Sequence, residues 1–335
     1  MDHTKYFVRT VVFAALCFGC AAAHANDTMA ALTTGGLVFQ TNPNIEMRSE
    51  DLSISRKRID VRYRFFNHAS VDQTVTVAFP LPEVDAQEAS NIAVPDDDSD
   101  NFLQFRTLID GREVNARIEQ KAFLAGRDVT ARLQALKLPL QPRAKKTNAA
   151  LDALPPDLEQ QLTKEGLVHD GSYDAGKGME KHVAPDWSLR TTYYWEQTFP
   201  AGRELIIEHS YAPSVGASVQ TAVASKDASA QEKREYLARF CTETSFISGV
   251  AAMTKKNGGA PPPEFRIAYV LKTGANWAGP IGDFRLTVDK GEPTALVSFC
   301  ETGVKKVGPT TFEVRKTNFT PTRDLDILIV DLSPQ

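Results

Sequence analysis

Four histidines follow residue 25, at His68, His169, His182 and His209, and they are the first places to look for metal or acid–base chemistry. No two stand at the spacing that brings two imidazoles to one helix face, and no H-E-x-x-H is present. Glu208 and His209 are adjacent, and neighbours on a strand point to opposite faces, so they make poor partners. His209 falls on the side of Leu205 and Ile207 and reads as a hydrogen-bonded core histidine; His68 reads as exposed. Asp96, Asp98 and Asp100 alternate as in a calcium loop. That loop wants glycine at its sixth place and glutamate at its twelfth, where Asn101 and Thr107 stand, so the stretch reads as a solvated acidic loop. A G-x-S-x-G elbow, a P-loop and a dinucleotide fingerprint are all missing. The glycine-rich stretch from Gly274 to Gly282 joins two strand-like runs and offers phosphate no helix N-terminus. Trp277, in the middle of that turn, forms with Asn276 a candidate recognition loop that could stack on a sugar or a partner's side chain. The preferred reading has Trp277 plugging the end of a sandwich while Asn276 satisfies turn backbone. No catalytic, cofactor-binding or metal-binding residue is assigned, and no cofactor is expected.

The compartment follows from the first 25 residues. Lys5 and Arg9 form a short basic region, Val11 to Cys20 an apolar run too short to span a bilayer, and Ala23-His24-Ala25 an A-x-A cleavage site. The expected mature chain starts at Asn26 in the periplasm; a retained N-terminal anchor is the alternative. Cys20 would suit a lipoprotein, but Cys17-Phe18-Gly19 is not the usual approach to a lipidated cysteine. The chain carries no twin arginine, which favours export in the unfolded state. Of 38 basic and 42 acidic residues, cleavage removes Lys5, Arg9 and Asp2 and leaves 36 and 41, a net charge of −5. That balance argues against nucleic acid and against an anionic membrane surface. No later segment is long and apolar enough to span a membrane. Cys241 and Cys300 remain after cleavage, and an even pair in an exported chain is most simply a disulfide. Two free thiols or a metal pair are the alternatives, the latter short of ligands.

The elements that position these residues are mostly strands. From Arg58 to Val84, Ile59, Val61, Tyr63 and Phe65 alternate with polar residues. After a polar link from Asn67 to Gln73, Val75, Val77 and Phe79 alternate again, up to Pro80-Leu81-Pro82. The pattern predicts a hairpin. Ile45–Ser49 and Leu52–Ser55 read as two short strands with Glu50-Asp51 as a turn, and Asp110-Gly111 as a tight turn. Asp128 reads as an N-cap. Residues 141–186 form a compositional break with a basic cluster (Arg143, Lys145, Lys146), read as solvated, and a helix from Pro156 to Glu165 closed by Gly166. Trp187 to Phe199 and Leu205 to Tyr211 read as a strand and its return. Ser229-Ala230-Gln231-Glu232 is a capping box that opens a helix to about Phe240. The predicted fold is mainly β: two antiparallel β-sandwich-like domains with a few short helices. Residues 26–140 are the N-terminal β domain, 141–186 a linker with a short helix, and 187–335 a C-terminal β domain holding the disulfide.

Several stretches together resemble one family: Glu46 to Leu52, the strand pair ending in Phe79-Pro80-Leu81-Pro82, Thr192 to Pro200, and the Thr273–Gly282 turn. On these the chain is identified as a member of the bacterial domain-of-unknown-function family 4424, from Asn26 nearly to the C-terminus. The resemblance implies an exported bacterial protein with no assigned activity and no catalytic residues to carry over. Val61 to Pro82 and Asp110 to Val114 are similar, more weakly, to the vault-protein inter-alpha-trypsin domain, a non-enzymatic β module. The expected function is a non-catalytic periplasmic binding or interaction module, with another envelope protein or a saccharide as partner. The alternative is a periplasmic hydrolase of an envelope polymer, which would need two carboxylates facing each other in a cleft at about 5–10 Å. A stabilising subunit of an envelope assembly would instead show an apolar patch or a free sheet edge.

Overall fold

Ile59, Val61, Tyr63 and Phe65 are all buried, as are Val77 and Phe79, so period two assigns the inward face correctly. The computed structural model describes residues 26–34, 36–86, 91–174, 176, 178–226 and 228–332; the leader expected over residues 1–25 lies outside the described residues. Ile59–Asn67 pairs antiparallel with Ile45–Ile54 on one side and Glu204–Tyr211 on the other. Gln73–Pro80 pairs instead with Ser188–Phe199 and Thr28–Thr33. The predicted hairpin is therefore a corner, whose link carries the chain from an eight-stranded sheet to a seven-stranded one. Ser188–Phe199 and Glu204–Tyr211 make a second corner between the same sheets, nested strand against strand with the first. Alternation reports which face is buried and is silent about which neighbour accepts the ladder hydrogen bonds. Neither link carries the two-residue signal that closes a tight hairpin. Asp110-Gly111 does carry it, and there Arg106–Ile109 and Arg112–Val114 pair directly, with φ of 47° and 77° at the turn.

Glu50-Asp51 is not a turn. Ile45–Ile54 is one strand with an irregular register between Met47 and Ser49, and it runs parallel to Ile281–Asp289. The division at residues 140 and 187 also fails, because strands from both sides of it alternate within the two large sheets. A five-stranded sheet that includes Glu264–Tyr269 and Leu325–Val330 sends Ile267, Tyr269, Ile327 and Ile329 into the same core as Tyr63 and Phe79. Two large domains would each need a core of their own; here the largest core draws on residues from Ile45 to Ile329. Nor is 141–186 a linker. Helices Lys145–Asp152 and Pro156–Glu165 join Thr130–Ala135 in burying Leu133, Leu151 and Leu162 against Ala122 and Trp187. Gly166 ends the second of these helices at φ 73°. Asp128 stands one place before the N-cap and accepts from the Thr130 N–H at 2.9 Å.

The capping box forms as expected: Ser229 and Glu232 satisfy each other's backbone N–H groups and open the helix Ala230–Phe240. A second helix, Thr244–Lys256, has no counterpart in the sequence reading. Both cover the five-stranded sheet through Phe240, Phe246 and Val250, packed on Leu328 and Val330. Cys241 follows the first helix at φ 52° and is bonded to Cys300, just past the edge strand Leu296–Phe299. The bond closes a loop of 59 residues, worth on the order of 4 kcal/mol in the chain-entropy model. Replacing both cysteines by alanine should lower the unfolding free energy in a urea titration by about 2–4 kcal/mol. A reducing agent should do the same to the unaltered chain, and a midpoint unmoved by either would show that the bond does not constrain the unfolded state.

Candidate functional site

The side chains with chemistry converge in the core, around two residues at the expected start of the mature chain to which the sequence reading gave no role. Asn26 and Asp27, just before the strand Thr28–Thr33, are fully buried. His209 points inward from Glu204–Tyr211, as its place beside Leu205 and Ile207 predicts. Its Nε2 lies 3.0 Å from Asp27 Oδ1 and its Nδ1 3.1 Å from Thr107 Oγ1. Phe79, Phe105 and Trp195 surround the ring with centroids at 4.8, 5.0 and 5.3 Å. Burial pushes the Asp27 carboxyl up from its ordinary range, and the neighbouring imidazole pulls it back part of the way.

A second carboxylate lies beside the first. Glu50 accepts from Asn26 Nδ2 at 2.9 Å and faces the Tyr269 hydroxyl at 3.5 Å, which in turn lies 3.0 Å from the Tyr63 hydroxyl. Burial pushes Glu50 up to about 8; the Asn26 amide draws it down and the charge of Asp27 raises it further. Burial also holds both tyrosine hydroxyls well above their ordinary range, so they stay neutral. Two acids thus lie close together, but Asp27 and Glu50 are at most 1% exposed, whereas the hydrolase reading called for a pair facing each other in an open cleft.

Thr273, Gly274 and Trp277 of the glycine-rich turn face this cluster and Asn276 is half-buried, so Asn276 and Trp277 are not a presented recognition loop. Trp277 is 4% exposed, 4.8 Å from the Phe65 ring and 5.9 Å from that of Phe199, and its Nε1–H donates to the Asp27 carbonyl at 2.6 Å. Thr273 donates its hydroxyl to the Asn26 carbonyl at 2.8 Å, and the half-buried Asn276 donates to Thr28 Oγ1 at 2.9 Å. Gly274 is required for close approach: a Cβ there would come within 2.6 Å of Asn26 Nδ2. The physical reason is the indole itself, whose large apolar area and single N–H are both satisfied inside. The other histidines each meet a surface carboxylate, His68 with Glu46, His169 with Asp186 and His182 with Asp152. The Asp152 hydrogen bond raises the His182 pKa. No group of three or more metal-ligating side chains forms among the described residues.

Open polar surface lies elsewhere. A cleft of about 810 Å³ separates the acidic loop from the start of the helical segment. Asp96, Asp97 and Asp100 of the loop line it, with Glu119 and Arg117 of a neighbouring strand, and Leu138, Leu140, Gln141 and Lys146 of the helical segment. The loop is held by its own side chains: Asp96 accepts from the Asp98 N–H at 3.1 Å, and Asn101 both accepts from and donates to the Phe105 backbone. Lys145 of the basic cluster reaches to 3.9 Å from Asp97 Oδ2. Gln141 is 7% exposed; its Oε1 accepts from the Arg143 N–H, while its Nε2 has no partner, and neither does the buried Oδ1 of Asp97. The sequence flagged the acidic loop and the basic cluster by their charge but held no signal for Gln141.

The family profile described as a domain of unknown function, DUF4424, matches residues 25–328. No curated protein matches the chain. A crystal structure from Legionella pneumophila, described as a candidate nutrient binding protein, is similar at 17% identity and a TM-score of 0.45, covering 91% of this chain and 70% of that one. An M1 zinc metallopeptidase from Deinococcus radiodurans is similar at 8% identity and a TM-score of 0.22, covering 87% of this chain and 43% of the peptidase. Likenesses of this degree carry no functional argument. The packing of Trp277 makes its own test. Trp277→Ala should cost about 3–5 kcal/mol of stability. Trp277→Phe, which keeps a ring but strands the Asp27 carbonyl, should cost about 1–3 kcal/mol. An alanine variant as stable as the parent in urea would show that the indole does not belong to the core.

Proposed function

Because the chain belongs to the DUF4424 family, whose description names no activity, we propose from its geometry that it is an exported periplasmic module that binds a ligand without transforming it. The ligand is a saccharide, held in the cleft between the acidic loop and the helical segment. The observation that carries this reading is the mixed lining of the cleft, where the side chains of Asp97, Asp100, Gln120 and Gln141 stand beside Leu138 and Leu140. Carboxylates accept and amides both donate and accept, and a sugar hydroxyl can meet either because it donates and accepts. The leucines at 138 and 140 give a pyranose face an apolar wall. Four acids, Asp96, Asp97, Asp100 and Glu119, line the cleft with Arg117 and Lys146, which suits a neutral polyol better than an anion.

Export is supported by the basic start, the short apolar run and the Ala23-His24-Ala25 site, with cleavage after Ala25, and by the disulfide. Hydrolysis by Asp27 and Glu50 is disfavoured because both are sealed from any polymer; the acids that line the cleft, Asp96, Asp97, Asp100 and Glu119, are read as hydrogen-bonding groups for the sugar. The test is calorimetric titration of the processed chain with neutral and anionic oligosaccharides. At least one class should bind with micromolar to millimolar affinity, and Gln141→Ala and Asp97→Asn should each weaken it tenfold or more while the melting temperature stays close to that of the parent. Absence of binding to every class, or binding indifferent to both substitutions, would sink the saccharide reading. Release of shorter sugars during the titration would replace it with the hydrolase.

A further inference from the structure

The buried cluster contains two carboxylates and one imidazole, and its charges do not balance. Asp27 faces His209, while Glu50 meets an amide and a tyrosine hydroxyl but no cation. Tyr63 and Tyr269 complete the titratable groups around it, and both are neutral. Oδ2 of Asp27 and Oδ1 of Asn26 are buried acceptors with no partner. Asn26 is the residue on which these groups converge: its amide donates to Glu50, its carbonyl accepts from Thr273, and Gly274 leaves the space it occupies. It is also the residue that cleavage after Ala25 makes the first of the chain.

We propose that the α-ammonium group of Asn26, created by leader cleavage, is the cation this pocket is built to hold, ion-paired with Glu50 and Asp27, so that processing completes the core. The inference rests on the cleavage site read from the sequence. Hydrolysis of the Ala25–Asn26 bond by a leader peptidase consumes one water. It leaves a carboxylate on Ala25 and an amine on Asn26, which takes up a proton. One peptide N–H is thereby replaced by three donors and a positive charge. Before cleavage the pocket has no cation for Glu50, and burial keeps that carboxyl protonated at neutral pH. After cleavage both acids are ionised and paired. The exported chain therefore reaches its full stability only once the leader is gone, which ties final folding to the compartment where cleavage happens.

The test begins with N-terminal sequencing of the chain recovered from the periplasm. A start other than Asn26 overturns the cleavage reading and this proposal together. With Asn26 first, the folded chain is treated with an amine-acylating reagent at pH 8. The α-amino group should be labelled at least tenfold more slowly than in urea, while surface lysines react in both states. Labelling at the unfolded rate overturns the proposal and leaves the cleavage reading standing. A single glycine inserted between Ala25 and Asn26 moves the amino group about 3.8 Å along the chain. This should lower the melting temperature by roughly 5–15 °C. In the inserted chain Glu50 is again without its cation. Its folded pKa, raised from 4.5 to about 8, then contributes stability that is complete below the unfolded value and lost as pH rises through 8. The inserted chain should therefore lose stability from pH 5 to pH 8 by more than the natural one does. Glu50→Gln should destabilise the natural chain and be close to neutral in the inserted one. Equal melting temperatures, or the same Glu50→Gln effect in both backgrounds, would overturn the proposal. If the inserted chain does not fold, the labelling result decides.

Discussion

Asp27 is a carboxylate taken wholly out of water, and the arrangement of both large sheets follows from what that requires. Moving such a group into the interior costs several kcal/mol unless a partner and hydrogen bonds replace its hydration. Here the replacement is His209 at 3.0 Å, from a strand 182 residues away. Thr107, on a third strand, fixes the other ring nitrogen and so the orientation of the imidazole. The aromatic rings around the pair exclude water, which strengthens the attraction and makes the loss of either partner more damaging. A core of aliphatic residues could be at least as stable; what the polar pair adds is a single permitted register between the sheets.

That pair also explains why the chain is one unit. The corner at Asn67–Gln73 and the corner at Phe199–Glu204 interlock, so neither half can bury its inner faces alone. The parallel pairing of Ile45–Ile54 with Ile281–Asp289 draws the far end of the chain into the same sheet. Contacts of such sequence separation form against a large loss of chain entropy. The local devices, the capping box at Ser229 and the tight turn at Asp110-Gly111, only prepare pieces for it.

What was legible in the sequence divides along the same line. Inward faces, the Pro156 helix, the capping box and a core role for His209 were readable because each depends on residues a few places apart. Strand partners were not, since the alternation of Ile59 to Phe65 is the same whether the next run lies beside it or across a corner. Glu50-Asp51 read as a turn because two acids side by side look solvated. Glu50 is buried only because Asn26 and Tyr269, 24 and 219 residues away, supply donors. Trp277 was divided between two readings for the same reason: its fate depended on whether Asp27 would offer a carbonyl. Family likeness reached the overall class but could not supply these pairings.

The contrast between the core and the cleft shows where function can reside. Both hold acids and amides, and the sequence gives them similar surroundings of Asp, Asn and Gln. In the core the groups are crowded by aromatic rings, and the acids' chemistry is spent on structure: an imidazole fixed by its neighbours cannot meet an incoming substrate. In the cleft, Asp97 and Gln141 sit on separate segments, across a space large enough for a small ligand. The core closes its acids off from any ligand, whereas the cleft leaves Asp, Gln, Arg and Lys side chains beside open space, and recognition belongs at that surface.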